Sequence, residues 1–281
     1  MSQRTITRWQ AILGMLLMLA GPLAGALEVR GKWQQGGLLL GTVAPGTAVV
    51  FEGRSVDVSP AGDFVIGLGR DAPPQVTLVL KRDGERIENT YEVAQRDYDI
   101  QRIEGVPQRT VTPPESELAR IREEARLVRQ ARGEGSPRRD YLAGFERPLA
   151  GPITGVYGSQ RFYNGEPRRP HFGLDIAAPA GTPVSAPADG LVRLVHDDMY
   201  FSGGTLIIDH GHGVSSTFIH LSEILVEEGQ RVRAGDRVAR VGASGRATGP
   251  HLDWRINWFD VRIDPALVLD AFPRREPPAG D

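Results

Sequence analysis

The chain has 281 residues, no cysteine, and 33 basic against 35 acidic side chains. Near charge balance excludes a typical nucleic-acid binder, which carries a basic excess. The missing cysteines exclude a disulfide framework and a cysteine-borne lipid anchor, while the length allows more than one domain and a sizeable core.

Residues 1–26 read as a secretory leader. Arg4 and Arg8 precede the apolar run Ala11 to Ala20, and Leu23-Ala24-Gly25-Ala26 offers small residues for cleavage after Ala26. The run is short for a membrane span, so none is expected after cleavage; an uncleaved anchor is the competing reading. Cleavage removes two arginines and no acid, which takes the formal net charge from −2 to −4. Export without disulfides fits a bacterial periplasm, where bridges are permitted but not required.

Residues 27–105 predict a small β-domain, best read as a sandwich. Leu38-Leu39-Leu40, Ala48 to Phe51 and Val76 to Leu80 are short apolar runs, with Pro45-Gly46, Ala61-Gly62-Asp63 and Asp83-Gly84 as turn signals. Trp33 and Phe51 read as packing residues here, with ligand contact the lesser alternative. A linker, 106–144, follows. Within it, residues 115–132 predict one helix, since Leu118, Ile121, Ala125 and Val128 recur at spacings of three and four. Its mixed Arg and Glu faces read as solvated, with a partner surface as the alternative.

Residues 145–270 change in style. Gly and Pro punctuate short β-like segments at 190–195, 204–209, 214–221, 230–232, 237–241 and 252–256, predicting an antiparallel β-rich domain before a tail, 271–281. Asp189 reads as a turn residue.

Three elements of this region carry chemistry. His171 and Asp175 offer an imidazole and a carboxylate, both suited to Zn²⁺, and Pro170 and Gly173 argue for a loop entering a strand. In His251-Leu252-Asp253, a strand would turn residues 251 and 253 to the same side. His220 ends the alternating run that starts at Ser215. Singly, each is weak: a surface His-x-x-x-Asp, a solvated strand or a structural histidine is the better explanation of each alone.

Taken together, residues 145–270 resemble the lysostaphin-type (LytM-like) zinc endopeptidases. The blocks are Gly155-Val-Tyr-Gly-Ser-Gln-Arg161, Pro170-His-Phe-Gly-Leu-Asp-Ile-Ala177, Gly181 to Gly190, Ile208-Asp-His-Gly211, His220-Leu-Ser222 and Gly245 to Leu252, all in the family's order. The resemblance implies a mainly β protein whose carboxy-terminal domain is of the duplicated hybrid motif type. It implies zinc ligands at His171 and Asp175 and non-ligand catalytic histidines at His220 and His251. The family's third ligand is the second histidine of His-x-His, and that position is Asp253 here. Aspartate can ligate zinc but is shorter and adds a negative charge, which lowers Lewis acidity and favours a harder ion such as Mn²⁺. His210-Gly211-His212, the literal His-x-His, sits among glycines and reads as a hairpin turn, and His196 reads as surface.

The resemblance implies an exported endopeptidase cutting peptidoglycan stem peptides or cross-bridges, with Tyr157, Phe162 and Tyr163 either lining the groove or packing. The alternative is a catalytically impaired relative that binds cell wall or activates other wall hydrolases, with a hydrolase or divisome-type protein as partner. A lectin-like β-protein with an incidental metal is the third reading.

Overall fold

The computed structural model describes residues 27–103, 113–163, 165–167 and 169–274. The expected leader, residues 104–112 of the expected linker and the end of the expected tail lie outside the described residues.

The amino-terminal region forms two small antiparallel sheets. One holds the strands Glu28–Gly31, Leu38–Thr42 and Asp63–Gly67; the other holds Arg54–Val56, Ala48–Phe51, Gln75–Arg82 and Glu85–Glu92. Leu39, Phe64, Val65 and Leu78 of these strands are buried. Trp33 stacks on Tyr91 with ring centroids 4.1 Å apart, and Phe51 meets the edge of Trp258 at 6.2 Å, so both are packing residues.

The larger carboxy-terminal sheet is antiparallel. Its main path runs Arg231–Val232, Gly190–Met199, Gly203–Gly211, Val214–Ile224, His251–Trp258, Leu174–Ala177 and Ile153–Gly155. The strands Gly203–Gly211 and Val214–Ile224 are buried on both faces over most of their length, so their polar side chains need internal partners. The amino-terminal region packs against one end of this sheet, where Gly67 lies so close that a Cβ would stand 2.9 Å from that of Trp258. One hydrophobic cluster therefore runs from Leu38 through Phe64 and Trp254 to Phe272.

The helix Leu118–Gly133, preceded by a 3₁₀ turn at Glu115–Glu117, lies where the apolar stripe predicts one. Leu127, Val128 and Ala131 pack on Leu194, Met199 and Ile207 of the sheet. The faces carrying Arg122, Glu123, Arg126 and Arg129 are solvated as expected, but two charged residues are not. Glu124 and Arg132 are buried beneath the helix, where Glu124 Oε2 accepts from the Tyr200 N–H at 2.9 Å and Arg132 donates to Thr217 Oγ1 at 2.9 Å. A buried charged group needs such partners, so both residues anchor the helix instead of solvating it. A second helix, Pro265–Ala271, starts from Asp264, whose carboxylate accepts from the Ala266 N–H at 2.9 Å. No described helix is long and apolar enough to cross a membrane.

Candidate functional site

Two neighbouring strands build the site. Asp175 and Asp253 are Cα partners in the pairing of Leu174–Ala177 with His251–Trp258, as are Ala177 and His251. Residues directly opposite share a face. Alternation then puts His251, Asp253 and Arg255 on the face that carries Asp175. His171 reaches the same place from the preceding loop. Its N–H donates to Ser159 O at 2.7 Å and its carbonyl accepts from Gly158 N at 2.8 Å. The amino-terminal region holds that loop in turn: Arg70 Nε donates to Gly158 O at 2.9 Å, and Tyr98 fills the space a side chain at Gly158 would need.

His171, Asp175 and Asp253 each offer a ligand atom, all within 4.8 Å of one another. His171 Nε2 and Asp175 Oδ1 stand 3.2 Å apart, and both are buried without a hydrogen-bond partner. Buried polar atoms seldom stay unpaired. Their separation is close to the ~3.3–3.4 Å edge of a tetrahedron with ~2.0–2.1 Å bonds, so this pair fits a tetrahedral ion. Asp253 Oδ2 lies 3.9 Å from His171 Nδ1.

Asp253 has a partner that sequence reasoning missed. Arg255 grips it bidentately, Nε to Oδ1 at 2.9 Å and Nη2 to Oδ2 at 2.5 Å. Burial pushes the Asp253 carboxyl up, but the Arg255 charge and hydrogen bonds outweigh it and hold the carboxyl well below its ordinary range. The grip does not exhaust the carboxylate, which has about four lone-pair sites against the two that Arg255 uses. The donor set therefore still fits a divalent metal. The signal for Arg255 was available as strand alternation, two residues beyond Asp253.

His220 needs a backbone irregularity to join the group. Ile219 is the Cα partner of Asp253, so regular alternation would turn His220 to the opposite face. The pairing with Gly203–Gly211 slips here, with Gly204 opposite Leu221 and Leu206 opposite Phe218, so two residues face one. His220 takes φ +66°, and this bulge re-aims its ring to 5.0 Å from that of His251. His251 Nε2 in turn lies 4.0 Å from Asp175 Oδ1.

Backbone carbonyls fix both tautomers. A carbonyl only accepts, so His220 Nδ1–H donates to Ser244 O and His251 Nδ1–H to Gly249 O, each at 2.8 Å. In the neutral rings Nε2 then carries the lone pair. Burial, ahead of the opposing Ser244 bond, lowers the His220 pKa and favours that neutral form.

The literal His-x-His is elsewhere, with both rings hydrogen-bonded within the fold. His210 is buried, with Nδ1 2.7 Å from Asp189 O and Nε2 2.9 Å from Ser216 Oγ. His212, at φ +48° in the hairpin turn, meets the Tyr141 hydroxyl at 3.2 Å. His196 Nδ1 accepts from the Asp198 N–H at 3.2 Å. Tyr157 does not line a groove: it is buried, donates to Arg262 O at 2.8 Å, and meets Tyr98 and Phe172 edge-on. Phe162 lies under the guanidinium of Arg102, and the side chain of Tyr163 lies outside the described residues.

Residues 169–265 match the model of Peptidase family M23. A solved structure from Pseudomonas aeruginosa, described as a peptidase M23, is 32% identical over 86% of this chain and 96% of its own, with a TM-score of 0.67. Two curated Vibrio cholerae proteins, the peptidoglycan DD-endopeptidases ShyA and ShyB, are each 42% identical, over 31% and 42% of this chain. The matches span only 20% and 25% of those two relatives' lengths.

Proposed function

The chain belongs to peptidase family M23, and on that premise we propose that it is a metal-dependent endopeptidase hydrolysing peptide bonds in peptidoglycan stems or cross-bridges. The observation that carries this reading is the orphaned pair His171 Nε2 and Asp175 Oδ1, with two tautomer-fixed histidines beside it. His171, Asp175 and Asp253 would hold zinc or another divalent ion. Such an ion supplies a Lewis acid for a scissile carbonyl and lowers the pKa of a bound water.

The remaining work falls to the chain's own groups. Of His220 and His251, one takes a proton at Nε2 and the other donates from a protonated Nε2 to the oxygen where charge develops. Carbonyl bonds at Nδ1 keep both rings from turning away. The bulge at His220 adds rigidity, because a residue held at positive φ persists only where its surroundings over-determine it. The dominant lowering of the His220 pKa by burial keeps its base form available below neutrality. Residues 1–26 would deliver the protein to the periplasm, where the substrate is.

Incubating purified peptidoglycan with the chain and analysing the released peptides tests the reading. Cleavage by wild type and its loss in His251→Ala are expected. Intact peptidoglycan with bound protein would sink it and leave a wall-binding or activating relative.

A further inference from the structure

The guanidinium of Arg255 closes on Asp253 from the same strand, with both nitrogen-to-oxygen contacts at hydrogen-bonding distance. The Cα partner of Arg255 on the neighbouring strand, Thr217, receives the buried Arg132 from the helix. We propose that Arg255 is a positioning residue for the metal: paired with Asp253, it lets an aspartate serve where the family pattern has a neutral histidine. This inference rests on the metal-site reading above.

Charge carries the first half of the argument. Ligand imidazole is neutral and ligand carboxylate is anionic. His-Asp-His holds one negative charge, whereas His171, Asp175 and Asp253 hold two. Arg255, in contact with Asp253, returns the sum to one. The extra anion that would blunt Lewis acidity is thereby cancelled within the strand itself.

Shape carries the second half. A planar fork on both oxygens fixes the carboxylate plane, which a single point charge cannot do. The loop is cut to fit this pair. A Cβ on Gly173 would stand 2.0 Å from Asp253 Oδ1 and 3.0 Å from Arg255 Cγ, so the glycine between His171 and Asp175 leaves the room the pair occupies. Ion pairs that orient a ligating carboxylate typically alter metal affinity by ~10–100-fold when removed.

The test is a double-mutant cycle read as zinc affinity, by chelator competition on the whole chain, with thermal melts to confirm folding. Asp253→His alone leaves Arg255 as a bare cation beside the ion. It should bind zinc at least ~10-fold more weakly than Asp253→His with Arg255→Gln, the range expected for an outer partner. Asp253→His with Arg255→Lys should stay weak, because the charge remains. In the Asp253 chain, Arg255→Gln should give no such gain.

Should the histidine variants fail to fold, the isosteric pair Asp253→Asn and Asp253→Asn with Arg255→Gln carries the same comparison and the same expected gain. Equal effects of Arg255→Gln in both backgrounds would overturn the proposal. So would Asp253→His alone binding as tightly as the double variant. If wild type binds one zinc that His171→Ala abolishes, an additive cycle removes only the role of Arg255. If wild type and every variant bind no divalent ion, the metal-site reading falls and this inference with it.

Discussion

Two groups of histidines sit on one sheet, and they end in opposite states. His210 lies in a closed chain of hydrogen bonds. Trp254 Nε1 donates to Ser216 Oγ at 3.2 Å, the Ser216 hydroxyl donates to His210 Nε2, and His210 Nδ1 donates to Asp189 O. Every polar atom of that chain is used in holding strands together. The group of His171, Asp175, His220 and His251 is partly open, with His171 and His251 half-buried, yet His171 Nε2 and Asp175 Oδ1 are themselves buried and left unpaired there. Between these two groups, the unpaired facing atoms of His171 and Asp175 mark the open one. The motif His-x-His marks the closed group, and the broken motif His-x-Asp marks the open one.

The contrast breaks most sharply at the two tautomer-fixed histidines. His220→Ala and His251→Ala should each lower peptide-bond cleavage by ~10²–10⁴-fold, the usual weight of a general acid or base. Their melting temperatures should stay near wild type, while His212→Ala should do the reverse. A His212→Ala chain that is stable and inactive would refute the division.

Next in size is Gly173→Ala. Its Cβ must displace the Asp253 carboxylate. Metal affinity, measured by chelator competition, should fall ~10–100-fold. Unchanged affinity would mean that the carboxylate position is immaterial.

Ser216→Ala sharpens the other side. It strands His210 Nε2 and Trp254 Nε1 in a dry interior, and a buried unsatisfied group costs ~1–3 kcal/mol. Denaturant unfolding should report that loss, with cleavage per folded molecule preserved.

The smallest effect is on pH. Burial lowers the pKa of His210, so the unfolded chain binds a proton at a pH where the native ring does not. Its contribution is complete above the unfolded value of ~6.5 and is lost as pH falls from there toward the lowered native value. His212 is lowered by burial in the same direction. The melting temperature should drop between pH 7 and 5, and His210→Gln should drop less steeply. Parallel curves would remove His210 as a source.

Much of the fold was legible because strand and turn chemistry agree. Segments 204–209 and 237–241 fall within or on the strands Gly203–Gly211 and Arg237–Val241, bounded by glycines that turns require. The strand Glu85–Glu92 was not, since Glu-Arg-Ile-Glu-Asn-Thr-Tyr-Glu is largely exposed and carries no apolar alternation. The helix Pro265–Ala271 had a readable start in Asp264-Pro265, but seven residues are too few for a periodic stripe. At the site, alternation sufficed to align His251 with Asp253, and one more step would have reached Arg255. The turn of His220 toward His251 had no such signal. A positive φ on a histidine comes from the register slip opposite Thr205, a tertiary event that no local pattern encodes. The burial of Glu124 and Arg132 was hidden similarly, because their partners Tyr200 and Thr217 are distant in sequence.

Cobalt or zinc stoichiometry of the purified chain, beside His171→Ala, Asp175→Ala and His212→Ala, tests the division between open and closed groups most directly. One divalent ion per chain, lost in the first two variants and kept in the third, is the predicted result. An ion kept without His171, or lost with His212, would contradict it.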